Sequence, residues 1–203
     1  MKEIRHIVLD VGRVLIHYDP HLAFRALIPD DAARAEFFRD VCTHDWNIEQ
    51  DRGRTWAEAE AELIPNHPDK ADLIRAFRGN WHMMVPHEYP ESVALMRALL
   101  AGGRDVTLLT NFAADTFREA QERFPILKEG RGVTVSADIR ALKPEPAIYA
   151  HHTKAFGLQS EATLFFDDSP ANVEGARSAG WNAEVFTGAE KMREDLGRYG
   201  VRI

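Results

Sequence analysis

Cysteine is almost absent from this chain of 203 residues. The one thiol is Cys42, which excludes an intrachain disulfide and offers no partner for a cysteine-based metal cluster. A single thiol also points to a reducing compartment, and a cytoplasmic location is expected. Long apolar runs are missing, so no membrane-spanning segment is expected. The N-terminal stretch MKEIRHIVLD carries charges within a short apolar run and lacks the form of a signal peptide. Positive charge is in deficit as well. Twenty-five Lys and Arg stand against 32 Asp and Glu, a formal net charge of -7, which argues against nucleic-acid or anionic-membrane partners. An acidic protein that handles phosphates needs local positive charge or a metal ion.

What is present is ordinary for a globular chain: 45% hydrophobic and 28% charged residues. Short, nearly continuous apolar runs at 4–9, 106–109, 163–166 and 183–186 read as strands buried on both faces, with 132–138 as a fifth candidate. Between them, 90–100, 113–123, 144–156, 170–179 and 189–199 read as helices. Pro144 and Pro170 stand at expected helix starts, and Gly102–Gly103, Gly157 and Gly180 at expected stops. Strand alternating with helix implies an α/β fold, a Rossmann-like parallel sheet. Residues 16–89 break the rhythm. They hold apolar residues at helical spacing and no convincing strand, so an all-helical insertion is expected there. The expected division is therefore 1–15 with 90–203 as the α/β core, and 16–89 as the insertion.

Ligands of open parallel sheets bind beyond the carboxyl ends of the strands. Three predicted strands end on polar groups: the first at Asp10, the second at Thr110 and Asn111, the fourth at Asp167 and Asp168. Any one of these fits a helix cap. All three together point to a site. Clustered carboxylates repel unless a cation lies among them, and hard oxygen donors suit Mg²⁺. Thr110 has a hydroxyl to donate to a phosphoryl oxygen. Lys143, in ALKPEPAIY, stands where it can neutralise a phosphoryl group and a carboxylate together.

The order D-x-G-x-V-L, apolar-T-N, K-P-E-P-x-I-Y, F-F-D-D-S-x-x-N-x-x-G-A-x-x-A-G resembles the haloacid dehalogenase (HAD) superfamily across nearly the whole chain. Within it the resemblance is nearest to bacterial D-x-G sugar-phosphate phosphatases of the alpha-D-glucose-1-phosphate phosphatase type. It implies that 16–89 is a cap domain and that a small phosphorylated metabolite is the substrate. It implies Asp10 as the nucleophile that becomes an aspartyl-phosphate, Thr110 and Asn111 with Lys143 around the phosphate, and Asp10, Gly12, Asp167 and Asp168 around Mg²⁺. Asn172 is implied to orient the loop.

Gly12 departs from the usual phosphatase pattern, in which an aspartate stands two places after the nucleophile. The backbone carbonyl is kept and a general acid is lost, which removes help worth ~10²–10⁴-fold. Asp19, His17, His44, Asp45 and His82 are the substitutes left open. Trp46, Trp56, Asp51 and Arg52 are candidates to shape a substrate pocket. Two other readings stay open: a 2-haloacid dehalogenase, which would leave the Asp167–Asp168 pair idle, and a non-catalytic HAD-like binding protein, which Gly12 favours.

Overall fold

A computed structural model describes residues 3–203. Its centre is a five-stranded sheet of β1 (His6–Leu9), β2 (Asp105–Thr110), β3 (Val133–Val135), β4 (Thr163–Asp167) and β5 (Asn182–Val185), every pairing parallel, in the order β3-β2-β1-β4-β5. The α/β reading holds. The central strand shows why its sequence is apolar throughout. Ile7 and Leu9 enter one hydrophobic cluster and Val8 enters the cluster on the opposite face. A strand covered on both sides has no polar position to give up.

Between β1 and β2 lie α1 (Pro20–Phe24), α2 (Asp31–Asp40), α3 (His44–Asp51), α4 (Trp56–Leu63), α5 (Ala71–Gly79), α6 (Trp81–Met84) and α7 (Pro90–Ala101). The ends of the helical excursion are tied at its base by two isolated bridges, Gly12 to Ile16 and Ile16 to Glu88. α3 and α4 start where side chains satisfy free backbone N–H groups. Thr43 accepts from Trp46, and Thr55 forms the expected capping box with Glu58. Phe24, Phe37, Trp46, Phe77 and Trp81 of this segment belong to the same apolar cluster as Ile7 and Leu9. Their rings are therefore buried in a core continuous with that side of the sheet.

The remaining helices are α8 (Ala114–Arg123), α9 (Ser136–Ile139), α10 (Pro146–Phe156), α11 (Pro170–Ser178) and α12 (Ala189–Arg198). α10 and α11 cover the second face through Ile148, Tyr149, Val173 and Ala176. Three details differ from expectation. α10 begins at Pro146, leaving Pro144 in the turn before it. Gly103, with φ of 74°, takes the left-handed position after α7, whereas Gly102 does not. The fifth candidate strand is only three residues long and gives way to α9 at Ser136. Ser136 is buried because its hydroxyl serves backbone groups of other segments. No described helix is long and apolar enough to cross a membrane.

Candidate active site

The sheet register assembles the site. Leu9 pairs with Phe166, so the next residues, Asp10 and Asp167, stand side by side at the strand ends. The Asp10 N–H donates to the Phe166 carbonyl at 2.9 Å, which carries the ladder to that point. The Val11 N–H donates to Asp10 Oδ1 at 2.7 Å and orients the carboxylate.

Lys143 arrives from the turn before α10. Its Nζ lies 2.8 Å from Asp10 Oδ1 and 2.6 Å from Asp167 Oδ2, and donates to the Leu109 carbonyl at 3.1 Å. Its three N–H donors thus match three acceptors. All three charged side chains are buried. The turn that delivers Lys143 depends on Gly175 of α11. A Cβ there would stand 2.9 Å from the Pro144 carbonyl oxygen and 2.9 Å from the Tyr149 hydroxyl, so no larger residue lets α11 pack this closely. Asn111 completes the clamp. Its amide accepts from the Lys143 N–H at 2.8 Å and donates to the Lys143 carbonyl at 3.0 Å. Asn111 was expected beside a substrate. It lines the cavity, but its polar atoms are committed to holding Lys143.

Asp167 is fully enclosed. Oδ1 accepts from the Ser169 N–H at 2.8 Å and from Asn172 Nδ2 at 2.9 Å. Asn172 thus orients an acid as well as the loop. Asp168 is half-buried, with Arg13 Nη1 at 3.7 Å. Oxygens of Asp10, Asp167 and Asp168 lie within 4.8 Å of one another. Burial raises the Asp10 carboxyl to about 7, against the pull of Lys143 and helped by the Asp167 charge. Burial and the Asp167 charge raise Asp168 as well. Burial disfavours the Lys143 ammonium, but Asp10 and Asp167 outweigh it and hold its pKa above the ordinary lysine value. Two carboxylates thus share one buried ammonium and a third lies close by, and the surplus negative charge suits a hard divalent cation with oxygen ligands.

A cavity of about 370 Å³ opens above this cluster. Asp10, Gly12, Thr110, Asn111, Lys143 and Asp168 floor it, and Tyr18, His44, Asn47, Asp51 and Trp56 come down from the helical side. Cys42 also reaches this wall. Burial pushes its thiol up to about 12, so it stays protonated.

The structure sorts the candidates from the helical segment. Trp56 and Asp51 line the cavity. Trp46 does not. It packs edge-to-face on Phe77 at 5.4 Å and its indole N–H donates to the Ala59 carbonyl at 3.3 Å. Arg52 turns away to Glu145 at 2.7 Å. Of the suggested substitutes for the missing acid, only His44 borders the cavity. Asp19 caps α1, accepting from the His21 N–H at 2.9 Å, and His17 Nδ1 pairs with the Tyr89 hydroxyl at 3.0 Å. Sequence reading treated Asp51 only as a pocket wall. A signal was available: it is an acid at the C-terminal end of a helix, where the dipole disfavours negative charge. Gly53 follows at φ 103°, and a Cβ there would be 3.0 Å from the Ala137 carbonyl oxygen. That close approach seats the end of α3 on the core.

Residues 4–180 match the haloacid dehalogenase-like hydrolase family. The chain is 29% identical over 118 residues to Phosphatase MT3486 of Mycobacterium tuberculosis (strain CDC 1551 / Oshkosh), spanning 58% of this chain and 54% of that protein. It is also 29% identical over 93 residues to Haloacetate dehalogenase H-2 of Moraxella sp. (strain B), spanning 46% of this chain and 42% of that one. The chain thus spans about half the length of the curated relatives it matches. The HAD family enzyme bt-2542 of Bacteroides thetaiotaomicron, crystallised with magnesium and inorganic phosphate, superposes with a TM-score of 0.70 at 20% identity over 90% of this chain and 93% of that one, a likeness of fold. The motif order, the sheet and the match from residue 4 to 180 lead to one assignment: this chain belongs to the haloacid dehalogenase-like hydrolases.

Proposed function

We propose that the protein is a Mg²⁺-dependent phosphatase of a small phosphorylated metabolite, with sugar phosphates as the first class to test. The observation that carries this is the cluster of Asp10, Asp167 and Asp168 beside the cavity, with the Lys143 ammonium paired to the first two. A carboxylate substrate, as in a dehalogenase, would meet three like charges there. A phosphate brought in with a cation would not.

Asp10 is the nucleophile. Its carboxylate attacks phosphorus, the ester P–O bond breaks, and an aspartyl-phosphate remains until water releases phosphate. Lys143 neutralises Asp10 and the phosphoryl oxygens, Asn111 holds Lys143 in place, and Thr110 contacts the phosphoryl group. Asp10, Asp167, Asp168 and the Gly12 carbonyl would hold Mg²⁺, which when bound offsets phosphoryl charge and keeps Asp10 ionised. The helical segment acts as a cap that admits substrate and then excludes water.

The test is hydrolysis of p-nitrophenyl phosphate and a panel of sugar phosphates, with Mg²⁺ and with EDTA. Turnover that needs the metal and disappears in Asp10→Asn is expected. Chloride release from 2-chloropropionate without metal would establish a dehalogenase instead. Silence in all assays, with Mg²⁺ still bound, would leave a binding protein.

A further inference from the structure

The reaction needs a proton for the departing alkoxide, and position 12 has no side chain to give one. Asp51, at the end of α3, lines the same cavity as Asp10. Its main chain is fixed to the core, because Ser136 Oγ donates to the Asp51 carbonyl at 2.6 Å while accepting from the Phe112 N–H at 2.9 Å. Phe112 lies two residues beyond Thr110, so the hydroxyl that secures Asp51 also secures the loop at the tip of β2. The Asp51 carboxylate sits beside the Ala113 N–H on the same loop.

Resting on the phosphatase reading, we propose that Asp51 is the general acid and base of this enzyme, supplied by the helical insertion in place of the residue missing at Gly12. In the first half-reaction the Asp51 carboxyl gives its proton to the leaving oxygen as the P–O ester bond breaks and the Asp10–phosphorus bond forms. Alcohol leaves and Asp51 becomes a carboxylate. In the second, Asp51 takes a proton from water as the water oxygen bonds to phosphorus and the Asp10–phosphorus bond breaks. Phosphate leaves and both acids return to their starting states. The surroundings suit a group that must carry and lose a proton. Burial raises Asp51 to about 7, while the Ala113 N–H and the Lys143 charge favour its ionised form. Tyr18 is the other titratable group that interacts with it. Burial and the Asp51 charge raise its phenol, which stays neutral.

The experiment compares Asp51→Asn with the parent protein on two esters with Mg²⁺. An alkyl phosphate has a poor leaving group and needs the acid. p-Nitrophenyl phosphate does not. Expected is a fall of ~10²–10⁴-fold in kcat/KM for the alkyl ester. The fall for p-nitrophenyl phosphate should be less than about tenfold, with phosphorylated protein accumulating because water is no longer activated. A Cβ at Gly12 meets nothing within 4 Å, so Gly12→Asp can be added to Asp51→Asn. It should restore alkyl-ester turnover. Equal losses on both esters, or a double variant as slow as the single one, would overturn the assignment. If the parent protein hydrolyses neither ester with Mg²⁺, the phosphatase reading itself falls.

Discussion

The sheet edge and the underside of the helical insertion face each other across one cavity, and they hold their acids differently. At the sheet edge, Asp167 accepts from an ammonium, a backbone N–H and an amide, with no measurable exposure. Charge there is locked in place by complementary charge. On the helical side, Asp51 has no ion pair in direct contact among the described residues. It is set by its backbone, through Ser136, and by its neighbour Gly53. The first arrangement places a carboxylate against an ammonium, whereas the second places a carboxyl beside a loop N–H, with burial raising it to about 7. The proposed phosphatase reaction uses both, the first for binding charge and the second for moving protons.

The comparison can be broken most severely at Lys143. Lys143→Met leaves Asp10 and Asp167 buried without their counter-charge, and removing one partner of such a group costs ~3–5 kcal/mol. Urea unfolding at pH 7 should register that loss, together with loss of turnover. A Lys143→Met protein as stable as the parent would show that the ion cluster is not what organises this edge.

The second test uses the far face of the same sheet. His152 lies buried between Thr107 Oγ1, at 2.9 Å, and Thr134 Oγ1, at 2.8 Å. Burial lowers its pKa to about 3. A neutral imidazole can donate to one hydroxyl and accept from the other, whereas the charged form only donates. The unfolded chain takes up its proton near pH 6.5, so the stability from this group is complete above that pH and is lost as pH falls toward 3. By pH 4.5 the loss is about 3 kcal/mol at most, at ~1.4 kcal/mol per pH unit. Denaturant melts across that range should flatten in His152→Gln. An unchanged slope would place the acid sensitivity elsewhere.

The smallest effect is expected where the helical segment meets α8. Arg78 Nε lies 2.7 Å from Asp115 and Nη1 lies 3.2 Å from Glu119, and Trp56 donates to the same Asp115 at 3.1 Å. These groups are partly exposed, so Arg78→Ala should cost no more than ~1 kcal/mol. Its effect should appear in KM, raised several-fold with kcat held, and in faster proteolysis of the helical segment. A change confined to kcat would show that these pairs do not hold the helical segment against α8.

Much of this was legible before any coordinates. Asp10, Thr110 and the Asp167–Asp168 pair each follow an apolar run, and a parallel sheet aligns strand ends. Lys143 was legible from its place between apolar residues and a proline. The phases of short helices were not. Asp51 and Arg52 are neighbours at the end of α3, yet one lines the cavity and the other bonds Glu145 at 2.7 Å, a choice made by packing against the core. Pro144 and Pro146 are equally plausible helix starts on paper. Only the approach of Gly175 shows why the first belongs to the turn. Asn111 looked like a phosphate contact because nothing local reveals that its amide partners lie 32 residues away.

Ser136 has one hydrogen to give, and the Asp51 carbonyl has it. If the insertion lifts, that hydrogen must turn to water or to the Phe112 carbonyl, now 3.5 Å away. Lifting the insertion would then hand a hydrogen bond to the loop at the tip of β2, so the two sides of the cavity could not rearrange independently.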